Sequence, residues 1–197
     1  KYINQIRQMT HTEFKLDREL PKLKLLDKKV TNPSYRFNIV EASYLDSNGK
    51  IKQATYLTSH SNAGNCILMT ENNENLFLSP QQRSPFLESG EEIKTEAAGG
   101  LTEGRPYEIA ALAELSEEQG FKAESIAEFT GPLAATPLTS ELSKAYIAYY
   151  ENGTEQKQHL DEQEKIGKKQ AISFKELKNN IQDSKIPLTT KYYIMLK

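Results

Sequence analysis

The residues from Gly99 to Phe121 constrain this chain more than any others, because they set glycines, a proline and regularly spaced carboxylates around one helix. Proline is tolerated in a first helical turn, where its missing N–H costs nothing, and glycine readily adopts the left-handed cap that ends a helix. Pro106 and Gly120 stand at those two points, so a helix is predicted between them. At about 3.6 residues per turn, Glu114, Glu117 and Glu118 occupy i, i+3 and i+4 and gather on one face. Ile109, Leu112 and Leu115 fall on the opposite arc, which is predicted to pack against a sheet. Neighbouring carboxylates repel one another by about a few tenths of a kcal/mol per exposed pair. A hard divalent cation relieves that repulsion, since magnesium takes oxygen ligands and is commonly held by a few carboxylates plus substrate phosphates. Taken alone, the three glutamates also fit a solvated acidic face.

The chain has 197 residues, of which 37% are hydrophobic, enough for one compact domain with a small N-terminal appendage. With 25 basic and 27 acidic residues it lacks the positive field that concentrates nucleic acid polymers, and no apolar run suffices to span a membrane. The first residues show no signal-peptide core. Cys66 is the single cysteine, so no internal disulfide forms and a reducing, cytoplasmic setting is expected. His11, His60 and His159 have no metal-ligand spacing, which argues against zinc.

Residues 1–34 are read as an N-terminal arm or helix, interrupted by Pro21, and 35–197 as the main domain. Arg36 to Tyr44 and Ile51 to Leu57 flank the turn Ser47-Asn48-Gly49-Lys50 and are predicted as paired strands. Asn65 to Thr70 and Leu76 to Leu78 form a second hairpin in outline, and Gln81 to Glu92 a polar loop. A strand from Ile93 runs into Gly99-Gly100, another covers Lys144 to Tyr150, and a polar tract extends from Glu151 to Glu164. Phe174 to Gln182 and Thr189 to Leu196 are predicted as closing helices. Strands interspersed with helices point to an α/β or α+β sandwich.

Gly99, Glu114, Leu115, Glu117, Glu118, Gly120 and Phe121 stand in the register of the Nudix box, and the stretch resembles that family. Arg105 stands where the box has Glu, and Ala113 where it has Arg. Gln81-Gln82-Arg83, Glu96-Ala97-Ala98-Gly99, the loop Thr136 to Glu141 and the acidic segment Asp161-Glu162-Gln163-Glu164 are similar to segments of the branch that cleaves ADP-ribose and nucleotide sugars. The resemblance implies a Nudix-type α/β/α sandwich around a mixed sheet, with a small N-terminal arm or sheet. It implies Glu114, Glu117 and Glu118 as metal ligands, with Glu164 and Ala98 on the metal side. Glu162 would act as general base beside the catalytic Glu114 and Glu118, and Arg83, Glu96, Gly99, Arg105 and Glu141 would contact substrate.

The implied activity is hydrolysis of the pyrophosphate bond of a small nucleotide substrate, dependent on Mg2+ or Mn2+, giving a nucleoside monophosphate and a sugar phosphate. The implied assembly is a homodimer that exchanges N-terminal strands. Arg105 is expected to pair with Glu114 or a substrate phosphate, in partial compensation for the two altered box positions. Those positions also admit an alternative, a Nudix-fold module that binds ADP-ribose with little chemistry.

Overall fold

The apolar run around Ile67 lies in a strand that serves two layers at once. The computed structural model describes residues 24–33, 37–82, 94–134, 139–161 and 164–180. In chain order the elements are β1 (Lys24–Pro33), β2 (Phe37–Leu45), β3 (Ile51–Ser59), β4 (Ala63–Met69), β5 (Asn75–Gln81), β6 (Lys94–Glu96) and β7 (Ala98–Leu101). There follow α1 (Tyr107–Gln119), β8 (Phe121–Ala123), β9 (Ala127–Glu128), β10 (Leu133–Ala134), β11 (Leu142–Tyr149), β12 (Gly153–Glu155), β13 (Gln170–Ser173) and α2 (Phe174–Asn179).

Successive strand side chains point to opposite faces. Cys66 and Leu68 of β4, with Tyr146 and Ala148 of β11, therefore share one cluster with Ala111 and Leu115 of α1. The alternate residues Ile67, Met69 and Ile147, joined by Leu76 and Leu78 of β5, share the other with Leu177 of α2. One helix covers each face, which is the α/β/α layering that the resemblance implied. Among the described residues the main sheet follows the path β10-β11-β4-β5-β13, with β6 on β5, β7 on β4 and β9 on β11. It is mixed, because β11 runs parallel to β4, Ser143 beside Ala63 and Tyr149 beside Met69, while β5 and β7 run antiparallel to β4.

Residues 24–33 form β1, antiparallel to β2, which pairs in turn with β3; this corrects the helix read for the stretch and agrees with the small N-terminal sheet that the resemblance implied. The hairpin supplies an open edge, and backbone pairing along it outweighs the weak local helical preference of Lys24 to Lys29. The pairing slips between Leu25 and Asp27 and again between Val30 and Asn32. At the hairpin turn, Asp46 Oδ1 accepts from the N–H of Asn48 at 3.0 Å and of Lys50 at 2.9 Å. Gln81 ends β5 rather than opening a loop, and the polar tract contains β12, which pairs with β8. α2 begins where a helix was predicted, with Ser173 Oγ accepting from Glu176 N at 3.1 Å. The helix predicted over 189–196 lies outside the described residues.

Candidate functional site

Pro106 is the last non-helical residue before α1, one position earlier than the first turn. Gly120 closes the helix in the left-handed conformation (φ 58°, ψ 44°), its N–H directed at the carbonyls of Leu115 and Ser116. The buried face of α1 differs from the predicted arc: Ala110, Ala111 and Leu115 are buried, whereas Ile109 is 50% exposed. Small alanines let the helix approach the sheet closely, which turns Ile109 outward. The three carboxylates consequently differ in burial, with Glu117 exposed, Glu114 half-buried and Glu118 only 3% exposed.

β7 delivers its glycines to these side chains because Gly99 pairs with Asn65 and Gly100 with Gly64 in β4. Gly99 donates its N–H to Glu118 Oε2 at 2.8 Å, and Gln81 Nε2 lies 3.5 Å from Glu118 Oε1. A Cβ on Gly100 would overlap the Glu114 carboxylate, so only glycine leaves room for it there. Burial, then the charges of Glu117 and Glu164, push the Glu114 carboxyl up to about 7, against the opposing pull of Arg105.

Arg105 does not pair with Glu114. Its Nε donates to Thr102 O at 3.1 Å, its terminal nitrogen to Leu101 O at 3.3 Å, and the same nitrogen lies 3.8 Å from Glu103 Oε2. Tied back to its own loop, it acts on Glu114 only through its field.

The acidic segment reaches the site by pairing with the end of β5. Ile166 bridges Gln81, Gln82 N donates to Lys165 O at 3.0 Å, and Gly167 N donates to Pro80 O at 2.8 Å. Glu164 Oε2 accepts from Asp161 N at 3.0 Å. Gly99, Glu114, Glu117, Glu118 and Glu164 are thus brought into one region, with Ala98 buried in the adjoining strand opposite Cys66. Glu96 lies in β6 opposite Ser79, and Glu141 precedes β11 with its N–H on Thr139 Oγ1 at 3.3 Å. Arg83 and Glu162 lie outside the described residues.

Among the described residues no group of three His, Cys, Asp or Glu side chains is arranged to hold a metal ion. The chemistry of the donors nevertheless suits a hard cation: Glu114, Glu117, Glu118 and Glu164 offer carboxylate oxygens, and burial, then the neighbouring carboxylates, keep Glu114 ready to hold a proton where a cation could sit instead.

Sequence reasoning missed two features. Gln81, only 3% exposed, links β5, the acidic segment and Glu118, but in the sequence it is one polar residue in a polar run. The other is a strap from Glu155 to Lys169 that satisfies the carbonyls at the end of α1, groups that a helix leaves unpaired. Gln156 Nε2 donates to Ser116 O (3.4 Å), His159 N to Glu117 O (3.1 Å), Gln158 Nε2 to Glu118 O (2.5 Å) and Lys169 Nζ to Gln119 O (2.9 Å). Gln156 N donates to Gly120 O at 2.8 Å. The strap carries Glu164, so it couples the helix end to the acidic segment.

A mixed sheet between two helices, one of them entered from a glycine strand and carrying the carboxylates, constitutes a Nudix-like α+β fold. A solved structure of an ADP compounds hydrolase is similar to this chain at a TM-score of 0.73, covering 91% of this chain and 93% of its own, with 18% sequence identity. At that identity the likeness concerns the fold. No family model matches the chain, and no curated protein matches its sequence. Among the described residues no helix is long and apolar enough to cross a membrane.

Proposed function

We propose that this chain is a metal-dependent Nudix-type hydrolase that cuts the diphosphate linkage of a nucleoside diphosphate derivative, with ADP-ribose or a nucleotide sugar as its substrate class. The observation that carries this reading is Glu114, lodged against Gly100 and pushed up to about 7 by burial and by the charges of Glu117 and Glu164. A purely structural acidic face gains nothing from burying a carboxylate beside other carboxylates. The similar fold belongs to a hydrolase of ADP compounds, which favours the same substrate class.

Glu114, Glu117 and Glu118, with Glu164 and the adjoining Ala98, would hold Mg2+ or Mn2+. Such a cation, when bound, neutralises diphosphate oxygens and lowers the pKa of water. The chain's own groups supply the remainder. Gly99 N–H fixes the orientation of Glu118, and Gly100 leaves room for the Glu114 carboxylate. Glu162 would take the proton from the attacking water, a role worth about 10² to 10⁴-fold. Arg83 and Arg105 would meet phosphate or ribose, and Glu96 and Glu141 the remainder of the substrate.

A product assay across ADP-ribose, GDP-mannose, UDP-glucose, NADH and diadenosine polyphosphates, with and without magnesium, tests this reading. Magnesium-dependent release of a nucleoside monophosphate from ADP-ribose or a nucleotide sugar is expected. Activity confined to oxidised mononucleotides would refute the substrate class. The attachment of Arg105 to its own loop, together with Ala113, favours a second reading, a binding module. Tight ADP-ribose binding without AMP release identifies it.

Assembly and compartment belong to the same proposal. β1 and β3 expose Leu25, Leu26, Val30 and Ile51, at 46 to 61%, an apolar surface suited to a second copy of the chain. The single buried Cys66 fits the cytoplasm.

A further inference from the structure

The last turn of α1, the strap and β5 line an open cavity of about 810 Å³, within the size range of small-molecule sites. None of Glu114, Glu117, Glu118 or Glu164 lines it. Lys157 and Lys168 do, and among the described residues neither has an ion-pair or hydrogen-bond partner. The third lysine, Lys169, is already occupied by Glu155 at 2.5 Å and by Gln119 O.

Gln119 forms part of the wall and is 1% exposed. Its Nε2 donates to Phe77 O at 3.3 Å, which ties the helix end to β5. Phe77 also lines the cavity and is the end member of a column of rings, stacked on Tyr150 at 4.6 Å, which stacks on Phe121 at 5.3 Å. Leu160 adds a second apolar wall.

We propose that this cavity binds a nucleoside monophosphate, with the phosphate on Lys157 and Lys168 and the base against Phe77 and Leu160. Two free ammonium groups attract an anion, and a flat ring packs against Phe77 and Leu160. The site rests on groups separate from the proposed hydrolytic centre and requires no turnover.

Calorimetric titration in the presence of a chelator tests it, with AMP, ribose 5-phosphate and inorganic phosphate as probes. Wild type is expected to bind AMP saturably, and the double variant Lys157→Glu with Lys168→Glu to bind it at least about tenfold more weakly. Both lysines are exposed, so this variant keeps its fold, which a thermal melt verifies. Leu160→Ala should weaken AMP but leave phosphate binding unchanged, and Glu117→Gln should leave AMP affinity intact. The proposal is overturned if wild type fails to bind AMP at millimolar concentration, or if reversing the lysines has no effect. It is equally overturned if Glu117→Gln abolishes binding, or if ribose 5-phosphate or phosphate binds as tightly as AMP. A protein that binds AMP in this pattern yet hydrolyses nothing supports the cavity and counts only against the hydrolase.

Discussion

Glu114 holds a proton at a pH where an ordinary glutamate has lost it. In the unfolded chain its carboxyl titrates at its ordinary value of 4.5, and in the folded chain at about 7. Below the lower value both states are protonated and folding bears no penalty. As pH rises through this window the unfolded chain ionises first, so stability falls, and above about 7 the whole cost is present. Metal-free protein should therefore melt at a lower temperature at about pH 8 than at about pH 5, and Glu114→Gln should flatten that dependence. Thermal melts in chelator check it, and an unchanged slope in the variant contradicts the burial of Glu114. At Gly100 the obstacle to a Cβ is the mobile end of Glu114, so Gly100→Ala should leave the melting temperature nearly unchanged while displacing the carboxylate. A displacement on that scale should cost about 10²-fold in turnover on ADP-ribose, read in a steady-state assay. The spacing of the glutamates was legible in the sequence because it is a local property of a helix. Their unequal burial was not, since it depends on how closely Ala110 and Ala111 approach β4.

At the scale of elements, α1 combines a legible beginning and end with an illegible support. Pro106 and Gly120 mark its limits through their own backbone chemistry. Nothing in the helix indicates that Lys169, 50 residues beyond Gln119, completes its C-terminal end, and the last turn has no basic residue of its own. The Lys169 side chain is 12% exposed and bridges Gln119 O and Glu155. Lys169→Met should lower stability by about 1 to 3 kcal/mol, measured by denaturant unfolding, because a charge-assisted hydrogen bond and a carbonyl cap are lost together. A variant as stable as wild type would show that the strap does not hold the helix end. β1 was illegible for the opposite reason. Lys24 to Lys29 lacks clean alternation, and its extended state comes from partners in β2 that a local reading cannot supply.

Across the whole molecule, the layers were legible because β4 and β11 alternate between two helices, and that alternation is carried by successive apolar side chains. The β1–β2–β3 sheet adds an outlying surface with Leu26 and Val30 exposed on its edge strand. If that surface joins two copies, Leu26→Asp with Val30→Asp should convert a dimer to a monomer by light scattering. A dimer that survives the change places the interface elsewhere. The central claim is that the carboxylates of α1 form a hydrolytic centre for a bound diphosphate. AMP release from ADP-ribose in saturating magnesium, compared between wild type and Glu118→Gln, addresses it most directly. The account predicts a kcat lower by at least about 10²-fold in the variant, with ADP-ribose still bound; equal turnover by the two proteins would contradict it.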